Sequence, residues 1–197
     1  LSSSSAASDV YKRQVWWFYC STNSNTVDKY VIYNYLDRVW YYGTMARTAW
    51  LDSGIRPYPM AADYNSRILY QESAVDDVSG ITPVPFTAYV QSSDFDIGDG
   101  HNFGFVWRLI PDLTFDGSNI NQPTAMFTVL PRANSGAPYG PSNNPDVVST
   151  QNYQNQRTYA IQQFTQQVYV RIRGRQMAFK VSSDELGVQW QLGVPRI

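Results

Sequence analysis

Val168-Tyr169-Val170-Arg171-Ile172-Arg173-Gly174-Arg175-Gln176-Met177-Ala178-Phe179-Lys180-Val181 is the stretch that decides the fold. In its first half the even positions Val168, Val170 and Ile172 are apolar, and the odd ones are Tyr169, Arg171 and Arg173. Side chains alternate between the two faces of a strand, so this pattern predicts a half-buried strand. From Met177 the parity flips: Met177, Phe179 and Val181 are the apolar set. A period-2 pattern cannot change face without an extra residue or a turn, and Gly174 is the natural place for a bulge. Ser183-Asp184-Glu185-Leu186-Gly187 then reads as a turn. Val188, Trp190 and Leu192 alternate on the returning strand, which predicts a hairpin.

The same reading extends to the rest of the chain. Val15 to Cys20 is a short aromatic run, too short for a helix, and reads as a strand. Tyr30 to Tyr35 and Val39 to Tyr42 follow after short turns, giving a three-stranded antiparallel meander. Pro59 to Asp63 and Arg67 to Glu72 read as two further strands around Tyr64-Asn65-Ser66. Meanders in series suggest a β-propeller, with a sandwich meander as the alternative. Ile81-Thr82-Pro83-Val84-Pro85 reads as a boundary. Beyond it, Phe86 to Gln91, Phe103 to Ile110 and Ala125 to Leu130 are longer strands of sandwich type. Residues 134–147, with three Pro and two Gly, read as a long loop. The expected fold is all-β: a partial propeller meander over 15–85, then a β-sandwich-like region over 86–197.

Composition agrees. Aromatic residues make up 15% of the 197, Lys occurs three times and Glu twice, so strand formers dominate and strong helix formers are scarce. No apolar stretch approaches the roughly 18 residues of a membrane-spanning helix. One cysteine, Cys20, and one histidine, His101, exclude a disulfide framework and Cys- or His-built metal centres. Cys20 reads as buried and inert. The net charge of -1 gives no global basic field for nucleic acid.

Residues 1–14 do not match the remainder. Ser4 to Gln14, Ser-Ser-Ala-Ala-Ser-Asp-Val-Tyr-Lys-Arg-Gln, resembles the translation of a transposase sequencing adapter. On that reading the sequence is a metagenomic fragment, its native part starts near Val15, and Leu1 to Gln14 is a disordered tail that packs against nothing.

Two clusters can carry chemistry. Asp94-Phe95-Asp96-Ile97-Gly98-Asp99-Gly100 places Asp94, Asp96 and Asp99 at short spacing, as in loops that fold around Ca²⁺, although the spacing is not that of an EF-hand. The same residues also suit a polar turn in which Asp side chains bond their own backbone. Arg171, Arg173 and Arg175 form a basic stripe, suited to phosphate or to a partner's carboxylates, or else simply a solvated sheet face. No Gly-x-Ser-x-Gly elbow accompanies His101, and no phosphate-cradling glycine motif occurs. No enzyme is expected and no cofactor beyond a Ca²⁺-type loop.

Taken in order, Tyr30 to Tyr42 with Arg47 to Trp50, Phe95 to Phe103, Arg108 to Asp112, Val170 to Gln176 and Trp190 to Gly193 resemble the C-terminal region of the tail-hub proteins of tailed bacteriophages. These are the tail-accessory, or packaged-DNA stabilisation, proteins. The resemblance spans Val15 to Ile197. It implies a non-enzymatic virion protein containing a β-propeller, assembled as a ring with other tail or portal proteins. Such a protein helps close the portal and retain packaged DNA, with no membrane partner. It also implies that most of the propeller lies upstream and that the family runs on past Ile197. Two other readings compete: a carbohydrate-binding β module with Tyr and Trp platforms, and a glycan hydrolase using carboxylates of the Asp94 to Asp99 loop.

Overall fold

The computed structural model describes residues 5–9, 13–137, 139 and 157–197, the first five as backbone alone. Among them every regular element is a β-strand, and no sheet closes into a barrel. The chain divides into two units, residues 1–74 and 75–197.

Unit 1 holds a four-stranded antiparallel sheet of β1 (Ser5–Asp9), β2 (Gln14–Tyr19), β3 (Lys29–Asn34) and β4 (Val39–Thr44), in that order. It also holds a three-stranded sheet of β5 (Ala49–Leu51), β6 (Met60–Ala62) and β7 (Ile68–Tyr70). The register pairs Trp16 with Ile32 and Phe18 with Tyr30. One face of β2 and β3 therefore carries the buried Trp16, Phe18 and Ile32, against which Val27, Tyr30, Met45 and Trp50 pack. The β3–β4 turn is organised by Asn34. Its side-chain oxygen accepts the N–H groups of Leu36 (3.0 Å) and Asp37 (3.1 Å), and its amide donates to the Asp37 carboxylate. Asp63 does the same for the β6–β7 turn. It accepts from the Asn65 and Arg67 N–H groups and from the Arg67 guanidinium, and the Arg67 backbone hydrogen bond is the main cause that lowers its pKa. The expected meander and its echo are both present. The expected free tail is not. Ser5–Asp9 pairs with β2 in register from Ser5 opposite Phe18 to Asp9 opposite Gln14, and Gln14 itself begins β2. The reason is general: β2 otherwise offers a row of unpaired backbone groups, and an extended Ser/Ala segment satisfies them without regard to side chains.

Unit 2 is built round a sheet of β8 (Ala88–Gln91), β15 (Gln176–Ser183), β12 (Thr124–Arg132) and β13 (Arg157–Gln162), with β9 (Phe95–Asp96) continuing β8 along β15. Two strand pairs lie outside this sheet: β10 (Gly104–Leu109) with β14 (Val168–Gly174), and β11 (Leu113–Thr114) with β16 (Gln191–Leu192). The inward residues of both β10 and β14 join those of β12, β13 and β15 in one core, which includes Val106, Leu109, Phe127, Val129, Ile161, Val170, Ile172, Met177 and Val181. β12 is buried continuously from Phe127 to Pro131, as expected of a strand covered on both faces. Pro131 is tolerated because β12 pairs with β13 only from Thr124 to Val129, so no ladder on that side needs its missing N–H.

The parity change at Gly174 is not a bulge within one strand. The chain leaves the β10–β14 pair and enters the five-stranded sheet, so Gly174 is a corner. A Cβ on Gly174 would lie 2.9 Å from the Arg132 carbonyl oxygen and 3.0 Å from that of Gln176, both backbone atoms that cannot swing away. Gly174→Ala is therefore expected to destabilise unit 2 by about 1–3 kcal/mol, the usual range for overpacking. A denaturant midpoint within error of the parent would refute this.

Two other expectations are corrected. Val188 to Leu192 alternates in burial as read, but it does not form a hairpin with Met177 to Val181; its end pairs with Leu113–Thr114. The boundary falls at residue 74 rather than 85. Asp77 and Val84 form a two-way backbone bridge, and the Asp76 carboxylate accepts the Gly187 N–H at 2.9–3.0 Å, which ties this segment to unit 2. The loop expected at 134–147 lies mostly outside the described residues.

Candidate functional site

Arg171 and Arg173 sit on the outer face of the β10–β14 pair, and Arg175, half-buried just past the Gly174 corner, reaches the same Phe103 ring as Arg173; they are joined by residues that sequence reading did not single out. β14 alternates strictly: Val170 and Ile172 are buried, while Tyr169, Arg171 and Arg173 are exposed. Across from it, Phe105 faces Arg173 and Arg108 faces Tyr169, with a register shift between Val106 and Arg108. The shift leaves both Trp107 and Arg108 exposed. Phe103, just ahead of β10, is exposed as well.

These side chains are ordered by one another. The Arg173 and Arg175 guanidinium carbons stand 4.8 and 5.0 Å from the centre of the Phe103 ring. Arg108 stands 5.1 Å from that of Trp107, and Trp107 stacks on Tyr169 at 6.4 Å. Cation–π contacts at exposed sites contribute about 0.5–1 kcal/mol each, enough to bias side-chain positions. Among the described residues, none of the four arginines on this face has a carboxylate partner; the ion pairs are Arg67–Asp63 and Arg132–Asp94. Arg175 goes further: its buried Nε has no hydrogen-bond acceptor. Beside Phe105, Trp107 and Arg108 an open cleft of about 370 Å³ is closed by Ile97, Gly98 and Ile197. The face thus offers four uncompensated positive charges interleaved with flat rings.

The missed signal was in the sequence. Phe103, Phe105 and Trp107 alternate with Gly104 and Val106. Size suggests that the rings point inward, but here the small and aliphatic residues do.

The three aspartates of the other cluster are given three different tasks. The Asp94 carboxylate pairs with Arg132 and accepts the Tyr139 hydroxyl at 2.8 Å. Asp96 accepts the Gln176 amide at 2.8 Å. Asp99 accepts the His101 and Asn102 N–H groups, an Asx-type turn, with Gly98 and Gly100 both at φ +72. Burial, then the Asp94 hydrogen bond and charge, raise the Tyr139 pKa above its usual value. Among the described residues no three metal-ligating side chains converge. Adding millimolar Ca²⁺ or a chelator is expected to move the melting temperature by less than about 1 °C, because Arg132 already neutralises Asp94. A saturable rise on Ca²⁺ addition, cancelled by chelator, would instead support the cation loop.

His101 is exposed, and Cys20 is half-buried rather than buried. In unit 1 the outer face of β2–β4 carries a second aromatic group. Trp40 stacks on Tyr33 at 4.5 Å and on Trp17 at 5.9 Å, and Tyr42 is exposed beside them.

No family model matches the chain, and no curated protein matches it.

Proposed function

We propose that this chain is a non-enzymatic virion structural protein of a phage tail and portal-vertex complex, which helps close the portal and retain packaged DNA. The observation that carries the reading is the unpaired arginine and aromatic face of β10–β14, a surface made for a polyanion rather than for solvent. Guanidinium groups recognise phosphate through paired N–H donors, and four of them on one face create a local positive field in an otherwise slightly acidic protein. The exposed rings on the outer face of unit 1 suit a subunit covered by neighbours in a ring, since Trp and Tyr are enriched at protein interfaces. On this reading unit 1 is a propeller-like meander and unit 2 a sandwich-like domain.

The test uses particles. Replacing Arg171, Arg173 and Arg175 together by glutamine is expected to leave the protein in the particle and to lower packaged DNA severalfold. Absence of the protein from purified particles would overturn the virion reading; unchanged DNA content would overturn the DNA contact. The carbohydrate-module reading draws on the Trp17, Tyr33 and Trp40 group. Its rings lie together on the outer face of β2–β4, and a glycan array read with and without chelator decides it.

A further inference from the structure

We infer that the β10–β14 face is a binding site for single-stranded nucleic acid, held by stacking of unpaired bases on Phe105, Trp107 and Tyr169 and by Arg108, Arg171, Arg173 and Arg175 on the phosphates. The inference rests on the reading of this face as a polyanion contact and narrows the ligand.

The rings decide between single and double strands. Phe105, Trp107 and Tyr169 keep 60%, 55% and 66% of their surface exposed. Apolar area of that size on one two-stranded ribbon needs a partner with flat apolar faces of its own. In a duplex the base faces are already stacked on each other, so a duplex would use the arginines and leave the rings against water. A single strand can splay its bases onto them, and each stacked base contributes substantially to affinity. Phe105 stacks on no other ring among the described residues, and the cleft beside it is also lined by Ile97, Gly98 and Ile197.

The charges are spaced to match. Arg171 and Arg173 lie two residues apart on a strand, about 6.6–6.8 Å along its axis. That is the order of the step between consecutive phosphates of an extended nucleic-acid strand. Arg173 and Arg175 stand over Phe103 and Arg108 stands over Trp107, so cations and rings lie side by side as phosphates and bases do. Because the side chains are already held by one another, less freedom is lost on binding. The overall charge of -1 does not oppose this, since the field of distant carboxylates is screened within about 8–10 Å.

The experiment is fluorescence anisotropy of the purified full chain with a labelled 20-mer of dT, the matching 20-base-pair duplex and a labelled poly-glutamate peptide. The single strand is expected to bind at least tenfold tighter than the duplex. With four phosphate contacts the single-strand salt slope is about -3, so affinity falls roughly fiftyfold between 50 and 200 mM salt. Phe105→Ala, Trp107→Ala and Tyr169→Ala should each weaken the single strand about fivefold or more and leave the salt slope alone. Arg171→Gln and Arg173→Gln should each lower the slope by about 0.7. Melting temperatures equal to the parent's show that these surface variants fold. Equal affinity for both oligonucleotides, with ring variants neutral, overturns the single-strand inference and leaves the polyanion reading standing. Binding of the peptide but of neither oligonucleotide overturns the single-strand inference and the DNA contact of the proposed function, and no binding of any of the three at 50 mM salt overturns the polyanion reading as well.

Discussion

Trp16→Ala is expected to unfold unit 1. Its buried apolar core beneath the four-stranded sheet is Trp16, Phe18 and Ile32, and Trp16 lies at the centre of the ring cluster. It stacks with Phe18 at 6.0 Å, Tyr30 at 5.3 Å and Trp50 at 5.2 Å. Truncating a buried tryptophan costs about 3–5 kcal/mol. A core in a unit of this size rarely supplies more than that in total. The neighbouring Trp17 is the internal control. It points to the opposite face, where it meets Trp40 at 5.9 Å, and Trp17→Ala should cost about 0.5–1.5 kcal/mol. Amide exchange across the β2–β3 ladder reads the difference: protection lost in the first variant, kept in the second. Protected β2–β3 amides in Trp16→Ala would contradict the account.

This contrast between adjacent identical residues shows how much of the fold can be read from the order of residues. Period-2 alternation reports which face a side chain takes, and burial follows it along Val168 to Ile172 and Val188 to Leu192, whereas in β15 Ala178 is as buried as Met177 and Val181. It does not report the neighbour. Val188 to Leu192 was as compatible with pairing to Met177 to Val181 as with its actual contact to Leu113–Thr114, because either partner leaves the alternation unchanged. Gly174 was legible as a special position, but its role as a corner between sheets depends on Arg132, which is 42 residues earlier in the chain.

The candidate site was half legible for a related reason. Arg171 and Arg173 announce themselves, since an arginine between Val170, Ile172 and a glycine has to face out. Phe103, Phe105 and Trp107 do not, because hydrophobicity alone places aromatic rings inside. What puts them outside is the competing demand of Val106 and Leu109, which close the core against Val170 and Ile172. Asp94, open in sequence between a cation loop and a polar turn, takes its ion-pair partner Arg132 from a strand 38 residues away, which local spacing does not report.

Phe127→Ala should be the most damaging change in unit 2 and should also remove the binding face. Phe127 is fully buried at 0% exposure, stacks on Phe179 at 5.4 Å, and Phe179 in turn meets Phe95 edge-on at 6.1 Å. The expected loss is about 3–5 kcal/mol against a typical total of about 5–15 kcal/mol. Phe127→Leu, which keeps most of the volume, should cost less than half as much. The consequence for the site follows from the shared core. Val106, Val170 and Ile172 form the underside of the arginine and aromatic face, and they pack in one cluster with Phe127. A cavity there releases the two strands whose register sets Phe105 opposite Arg173 and Arg108 opposite Tyr169. Phe127→Ala should therefore lower the denaturant midpoint and single-strand affinity together, while Arg173→Gln lowers affinity alone. If Phe127→Ala lost stability as expected yet bound the dT 20-mer at parental affinity below its midpoint, the face would be organised by its own cation–π and ring contacts, not by the core beneath it.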